Sequence, residues 1–444
     1  MNRTILLILF TFLLTSCSSK EKEQKPNIIF IMVDDLGYAD LSSFGNKEIT
    51  TPNIDSFVNQ GLKFTNAYAA APYCSPTRVA LMTGKYPGKF AIGLREPLTL
   101  STSDLELGLS PEIPTLTSIL KKNNYETALF GKWHLGQKAN YLPSKHGVDR
   151  FFGIMCGAAD HIDHKPFDRN RDLLFKKDIP NLYENDSPTT KRGYLNNLIT
   201  DYSLDFISEK HDKPFFLSIQ FTSPHWPWQS PTDSPVDSLS YSTSGSKKKY
   251  ESMLQNLDEN FGKIMRALKK ANLDESTLVI FTNDNGGAKF ANQGKLKGQK
   301  GSLNEGGIRV PAAVRWPSVT LPKTSTEQVI ITMDWTKTIM DVAKCDYPKD
   351  IELDGINLVK YFKNPSQIDE RALFWRITNR KQEIAVRRGA YKYLRNKDGE
   401  FLYNLETDIS ENTDLKQSES QIVQELKLEL EKFENEILDP TDFK

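Results

Sequence analysis

The sequence predicts an α/β protein in which a large mixed sheet, flanked by helices, is followed by a smaller C-terminal domain with a short antiparallel sheet and a helix. Continuous apolar, β-branched runs such as residues 27–33 and 277–281 are what strands covered on both faces require. Amphipathic helical segments fall between such runs, the alternation of an α/β sheet. After about residue 345 the texture changes to short strands punctuated by Asp398-Gly399, a hairpin turn signal.

Taken in order, the strand at 27–33 stops at Asp34-Asp35. A short helix follows Pro52-Asn53, with Ile54, Phe57 and Val58 on one face and Gly61 ending it. A second fits 115–123, with Leu116, Ile119 and Leu120 inward, and leads into a strand at 127–130. Residues 215–221 read as another strand. Over 247–271, Tyr250, Met253, Leu254, Leu257, Phe261, Ile264, Met265 and Leu268 recur at helical spacing, a stripe that marks core. The strand at 277–281 runs into Asn283-Asp284-Asn285-Gly286-Gly287. Ligand sites in open α/β sheets lie at the carboxyl ends of strands, so two strands ending in acidic clusters mark a candidate site. Short strands are expected at 372–378, 383–388, 391–394 and 401–403, and a last helix over 420–438. The Ser/Pro-rich stretch 230–246 reads as a surface loop.

The chain has 444 residues, with 57 Lys+Arg against 57 Asp+Glu. Zero net charge leaves no polybasic footprint for nucleic acid. Four cysteines and six histidines are too few for a disulfide scaffold or a zinc array. The first apolar run, residues 5–14, follows Asn2-Arg3 and falls short of the ~20 residues of a membrane span. It reads as a signal-peptide core. Leu14-Thr15-Ser16-Cys17 and the polar stretch after it resemble a bacterial lipobox, with Cys17 lipidated; an ordinary secretory signal with an incidental cysteine is the other reading. On the lipobox reading the chain divides into a signal peptide (1–16), a lipidated tether (17–25), the large domain (26–345) and the small C-terminal domain (346–444). Membrane attachment is then through the lipid anchor only, at the outer membrane, on its periplasmic face or the cell surface. Cys156 and Cys345 are either bridged or two free thiols.

Chemistry concentrates in short motifs. Cys74-Ser75-Pro76-Thr77-Arg78 runs into Leu81-Met82-Thr83-Gly84-Lys85-Tyr86-Pro87, and a thiol so close to a proline and an arginine is badly placed as a core cysteine. A thiolate nucleophile paired with histidine is an alternative that no nearby Cys/His motif supports. Asp34 and Asp35, with Asp284 and Asn285, offer only oxygen ligands, which implies a hard divalent cation and suits Ca²⁺. Either cluster alone reads equally as a solvated turn or helix cap. Gly131-Lys132-Trp133-His134-Leu135-Gly136 follows a strand, and Ser223-Pro224-His225-Trp226-Pro227 places a histidine in a Pro-rich loop after another. Lys297-Gly298-Gln299-Lys300-Gly301-Ser302 leads into Glu305-Gly306-Gly307-Ile308-Arg309-Val310-Pro311. In isolation these are packing residues, a solvated basic loop and a structural ion pair at Arg309.

Together the motifs resemble those of the type I, formylglycine-dependent sulfatases, and of bacterial polysaccharide sulfatase lipoproteins among them, from Asp34 to Leu402-Tyr403-Asn404-Leu405. The resemblance implies an alkaline-phosphatase-like fold. It also implies hydrolysis of sulfate esters on a sulfated polysaccharide or its oligosaccharides, algal ulvan or carrageenan ahead of glycosaminoglycan. Cys74 is then oxidised to formylglycine by a maturation enzyme, and one Ca²⁺ is held by Asp34, Asp35, Asp284, Asn285 and the residue at Cys74. By the same resemblance Arg78 and Lys132 hold the nucleophile, and Lys300, ahead of Lys297, binds the sulfate. His134 deprotonates the second hydroxyl and His225 protonates the leaving alcohol. His164 and Lys165 lie where related enzymes shape the sugar pocket, and Trp226 and Trp228 are candidates to stack on sugar rings; each is equally a loop or packing residue. The competing readings are a phosphate or phosphonate monoester hydrolase of the same superfamily and a lipoprotein that binds sulfated glycans without turnover. The first is disfavoured by the lack of a His/Asp set for a second metal.

Overall fold

The computed structural model describes residues 25–166, 180–235, 245–347, 351–378 and 381–443. The predicted signal peptide, Cys17 and residues 18–24 of the tether lie outside the described residues. The large sheet has the spatial order β11 (Thr324–Thr326), β2 (Leu62–Phe64), β10 (Ala312–Arg315), β9 (Thr277–Asn283), β1 (Asn27–Val33), β8 (Phe215–Gln220), β4 (Glu126–Gly131), β5 (Arg150–Ile154), β6 (Leu182–Glu184) and β7 (Ser187–Pro188). From β9 to β5 neighbouring strands are parallel, while β10 and β6 pair antiparallel at either side. β3 (Ala67–Tyr68) and β12 (Ile330–Ile331) form a separate two-stranded sheet.

β1 shows why its sequence is apolar without alternation. Ile29, Ile31 and Val33 enter one core with the helices Pro52–Asn59, Leu195–Ser208 and Lys247–Lys270. Ile28, Phe30 and Met32 enter another with Leu116–Lys122 and Thr332–Val342. Successive side chains point to opposite faces, so a strand with helices on both sides must be apolar at every position. The stripe predicted on Lys247–Lys270 is buried, with Met265 half-buried at its margin. Thr115 caps Leu116–Lys122 by accepting from the Ser118 amide.

The C-terminal sheet is an antiparallel meander of β13 (Ala372–Arg376), β14 (Ile384–Arg388), β15 (Tyr391–Asn396) and β16 (Gly399–Asn404), covered by the helix Ser420–Glu436. Leu373, Trp375 and Tyr393 share one core with Tyr68, Ala80 and Tyr86 of the large unit, and Trp375 Nε1 donates to the Ala69 carbonyl at 2.8 Å. Leu358, Tyr361 and Phe362 pack under the large sheet. The small sheet therefore has no core of its own.

Candidate active site

β9, β1, β8 and β4 are adjacent and parallel, so their carboxyl ends meet on one side of the molecule. β1 delivers Asp34 and Asp35, β9 delivers Asp284 and Asn285, β4 delivers Lys132 and His134, and the loop after β8 delivers His225. Cys74 and Arg78 open the helix Cys74–Thr83, every residue of which is buried. Their four-residue spacing sets both on one helical face. Pro76 falls in the first turn, where its missing N–H leaves no helical bond unmade. Gly84, at φ 69°, ends the helix in the left-handed region.

Three buried acids face three buried bases. Lys132 Nζ lies 2.6 Å from Asp34 Oδ2, Arg78 Nη2 lies 3.0 Å from Asp284 Oδ2, and Lys300 pairs with Asp35 Oδ1 while donating to Cys74 Sγ at 3.1 Å. Arg78 Nη1 also donates to Gln220 Oε1 at 2.9 Å and to the Lys132 carbonyl at 3.0 Å. Burial pushes Asp35 up, but Lys300, His225 and Asn285 outweigh it and hold the carboxyl well below the usual range. Burial and the Asp34 charge raise Asp284 to about 6 against Arg78 and Lys132. Burial lifts the Cys74 thiol to about 12 even with Lys132 and Lys300 beside it. A thiol held protonated is not the nucleophile of a cysteine hydrolase.

The oxygens fit a cation. Asp34 Oδ1, Asp35 Oδ2 and Asn285 Oδ1 are buried without hydrogen-bond partners, a condition buried polar atoms rarely tolerate. One donor atom each from Asp34, Asp35, Cys74 and His225 lies within 4.8 Å of the others. Asp284, whose Oδ2 is engaged by Arg78, falls outside that tightest group. Carboxylate and amide oxygens are the ligands of a hard divalent cation. With the six charged side chains already balanced, a dication would leave the site positive, which suits an anionic substrate.

The histidines differ in their free nitrogen. His134, at φ 57°, sets Nε2 2.8 Å from the Leu98 carbonyl. A carbonyl only accepts, so Nε2 carries the hydrogen and the unpartnered Nδ1 keeps its lone pair. Burial, then Lys132, hold this ring well below the ordinary histidine range, hence neutral. Gly157 gives the ring its space: a Cβ there would sit 2.6 Å from it. His225 is reversed: Nδ1 donates to the Trp226 carbonyl at 2.5 Å, and Nε2 faces Asp35 Oδ2 at 3.6 Å.

Cys74, His134, His225 and Lys300 line a cleft of about 580 Å³, together with Trp226 and Trp228. His164 and Lys165 do not line it. Asp160 Oδ1 accepts from the Ile162 and Asp163 amides, and this turn leaves His164 buried against the Gly193 carbonyl and Lys165 exposed beside Asp163. Cys156 and Cys345 are free thiols, Cys156 lying in the cleft wall and donating to the Ala158 carbonyl. Sequence reasoning missed Gln220, although a polar residue closing the apolar run Phe215–Gln220 is a legible sign of a site. It also missed Lys289 and Lys381 in the cleft wall, which no local pattern marks.

The Lys300 loop is gripped from the C-terminal unit. Lys381 donates to the Gly301 carbonyl, Glu383 Oε2 accepts from the Leu303 amide at 2.8 Å, and Glu411 Oε2 accepts from the Glu305 amide at 2.8 Å. Lys297 Nζ donates to the Glu411 carbonyl at 2.9 Å, so it anchors the loop and leaves the site to Lys300. Behind the loop, Lys392 Nζ lies 2.9 Å from Glu305 Oε1 and 2.9 Å from Glu411 Oε1, all three fully buried. Glu305 also holds Tyr68 and Arg309, the structural ion pair expected of that arginine.

The family model "Sulfatase" matches residues 26–345, and a second, "N-sulphoglucosamine sulphohydrolase, C-terminal", matches 299–436. The chain belongs to the sulfatase family and is a sulfuric ester hydrolase. It is 30% identical to the N-acetylgalactosamine-6-sulfatase of Mus musculus, covering 83% of this chain and 72% of that protein. It is 30% identical to a sulfatase of Formosa agariphila, covering 92% and 88%. The solved structure of Ps i-CgsB in complex with k-i-k-neocarrahexaose superposes with a TM-score of 0.82 at 31% identity over 94% of both chains. The sulfatase PsFucS1 from Pseudoalteromonas sp., at 22% identity and a TM-score of 0.73, shares the fold.

Proposed function

We propose that this sulfatase removes sulfate from a sulfated polysaccharide or its oligosaccharides, carrageenan or ulvan ahead of glycosaminoglycan, with Cys74 matured to formylglycine. The observation that carries the reading is the buried Cys74 at the cleft wall, its sulfur accepting from Lys300 at 3.1 Å and lying with Asp34, Asp35 and His225, together with the unpartnered oxygens of Asp34, Asp35 and Asn285. The similarity to a protein solved with k-i-k-neocarrahexaose supports the substrate class. Hydrated formylglycine supplies two hydroxyls, one to attack sulfur and one through which sulfate is later expelled. A Ca²⁺ held by Asp34, Asp35, Asn285 and Asp284 would lend positive charge to the sulfate oxygens.

Arg78 and Lys132 fix the residue at position 74 and, with Lys300, stabilise the crowded anionic oxygens of the transition state, the larger electrostatic share of catalysis. His225, its Nδ1 tied to the Trp226 carbonyl, presents Nε2 to the leaving oxygen; burial holds the ring well below the ordinary histidine range, and the Asp35 carboxylate beside Nε2 is what favours the charged form that delivers the proton. His134 accepts the proton of the second hydroxyl at Nδ1. We also propose that Cys17 is lipidated and holds the enzyme at the outer membrane; loss of membrane association in Cys17→Ala tests this. The functional test is sulfate release from ulvan, carrageenan and glycosaminoglycans by purified protein whose Cys74 conversion is confirmed by mass spectrometry. Release from one class, lost in Cys74→Ala, is the expected result. A fully converted protein that releases no sulfate and cleaves phosphate monoesters instead would overturn it.

A further inference from the structure

The cleft is larger than a sulfate ion needs, and among its described lining residues there is no carboxylate. Its volume of about 580 Å³ is that of a site for a ligand of drug-like size. Beside Trp228 the wall carries Lys289, an exposed side chain whose ammonium lies 4.9 Å from the Phe290 ring centroid and 5.8 Å from that of Trp228. These rings orient the charge without neutralising it. No acidic side chain among the described residues pairs with it.

The loop that presents Lys289 is fixed and strained. Phe290 has φ 75°, a left-handed conformation that a bulky aromatic adopts only under constraint. The constraint is visible: Phe290 packs edge-on against Trp228 at 4.8 Å, and the Asn292 amide donates to Asp40 Oδ1 at 2.9 Å. The Asn292 carbonyl accepts from the Ala39 amide at 2.9 Å, and Gln293 Nε2 donates to the Gly287 carbonyl at 2.9 Å. The loop is thus tied to the segment that follows Asp34-Asp35, and holds a cation on an aromatic shelf at the cleft wall.

We propose that Lys289 is a specificity-determining residue that takes a second anionic group, a sulfate ester or a carboxylate, on the sugar adjoining the one whose sulfate is removed. The inference rests on the carbohydrate reading given under Proposed function and narrows it to glycans with at least two anionic groups. The half-buried Trp226 in the same cleft offers an aromatic surface to a sugar ring, and Lys289 a cation to an anionic substituent, which is the chemistry such a glycan requires.

The test compares matched oligosaccharides that differ by one sulfate outside the cleaved sugar: κ- and ι-type neocarrabiose, and chondroitin disaccharides sulfated on the hexosamine with and without a further sulfate on the uronate. The wild type should prefer the more anionic member of a pair in kcat/KM. Lys289→Met should shrink that preference by roughly two- to fivefold, the scale of an exposed ion pair, and Lys289→Arg should retain it. The preference should also weaken at high salt. Calorimetric binding of the same pairs to Cys74→Ala, with and without Lys289→Met, reads the preference without turnover. It separates failure of this inference from failure of the catalytic reading. A preference equal in wild type and Lys289→Met, in either turnover or binding, overturns the proposal.

Discussion

Replacing Lys392 by methionine removes the lysine that lies between two fully buried carboxylates while keeping most of the side-chain volume. Glu305 retains Arg309 and the Tyr68 hydroxyl. Burial would raise its carboxyl, but Lys392, Arg309 and Arg387 bring it down to about 2 in the native protein. Glu411 has no such reserve: burial already raises it, and Lys392 is the first group that opposes the shift. In the variant it should fold protonated. Starting from its ordinary value of 4.5, protonation at pH 7 costs about 3.4 kcal/mol at ~1.36 kcal/mol per unit, and the deficit is this figure less the part the wild type already bears through its own raised Glu411. The full cost agrees with the ~3–5 kcal/mol expected for breaking a buried pair.

The sign with pH follows from linkage. The carboxyl of the variant is raised on folding, so its stability is fully present below the unfolded value and is lost as pH climbs above it. The deficit relative to wild type should therefore shrink to at most about 1.4 kcal/mol at pH 5.5. At ~2.1 cal/mol/K of unfolding entropy per residue, these figures translate to roughly 4 °C and 1.5 °C of Tm. Thermal melts at both pH values measure this. A deficit that is equal at the two pH values, or below about 1 °C at pH 7, would refute the reasoning.

Further outcomes are expected at the site. His225→Ala should lower kcat on a sugar sulfate by ~10²–10⁴ and act far less on 4-nitrophenyl sulfate, whose leaving group needs no proton; equal losses on both would remove the acid role. Gln220→Leu leaves Arg78 Nη1 without one of its two acceptors. It should cost about 1–3 kcal/mol of transition-state stabilisation with a near-native melt, read as a drop of roughly 5- to 150-fold in kcat/KM. Adding Ca²⁺ to chelator-treated protein should raise Tm in proportion to RT ln(1 + [L]/Kd), and Asp34→Asn should abolish the rise.

The clustering of the candidate site residues was legible where local geometry sets it. Four-residue spacing on a helix joins Cys74 to Arg78, and apolar runs ending in acids or in Gly-Lys place Asp34, Asp284 and Lys132 at strand ends. The layers were legible for the same reason, since burial on both faces leaves a signature in every strand of the sheet centre. What escaped depends on distant pairings. Glu383 reaches the Leu303 amide across 80 residues, and Lys392 meets Glu305 across 87, contacts that periodicity cannot encode. His164 and Lys165 show the reverse case: their loop is polar in sequence, yet neither residue lines the cleft, His164 being held against the Gly193 carbonyl and Lys165 beside Asp163.

Cys74 is 1% exposed in the folded protein, beneath a lysine whose loop is fastened by the last quarter of the chain. On the formylglycine reading proposed above, little of that sulfur is offered to a maturation enzyme once β15 has docked and Lys392 has seated itself. On that reading the fold would set the order of events in the life of the chain: oxidation first, on an extended or partly formed segment, and closure of the Lys300 loop afterwards. A chain that folded ahead of such an enzyme would bury an unmodified thiol, and the final sheet would act as the clock that ends the window for activation.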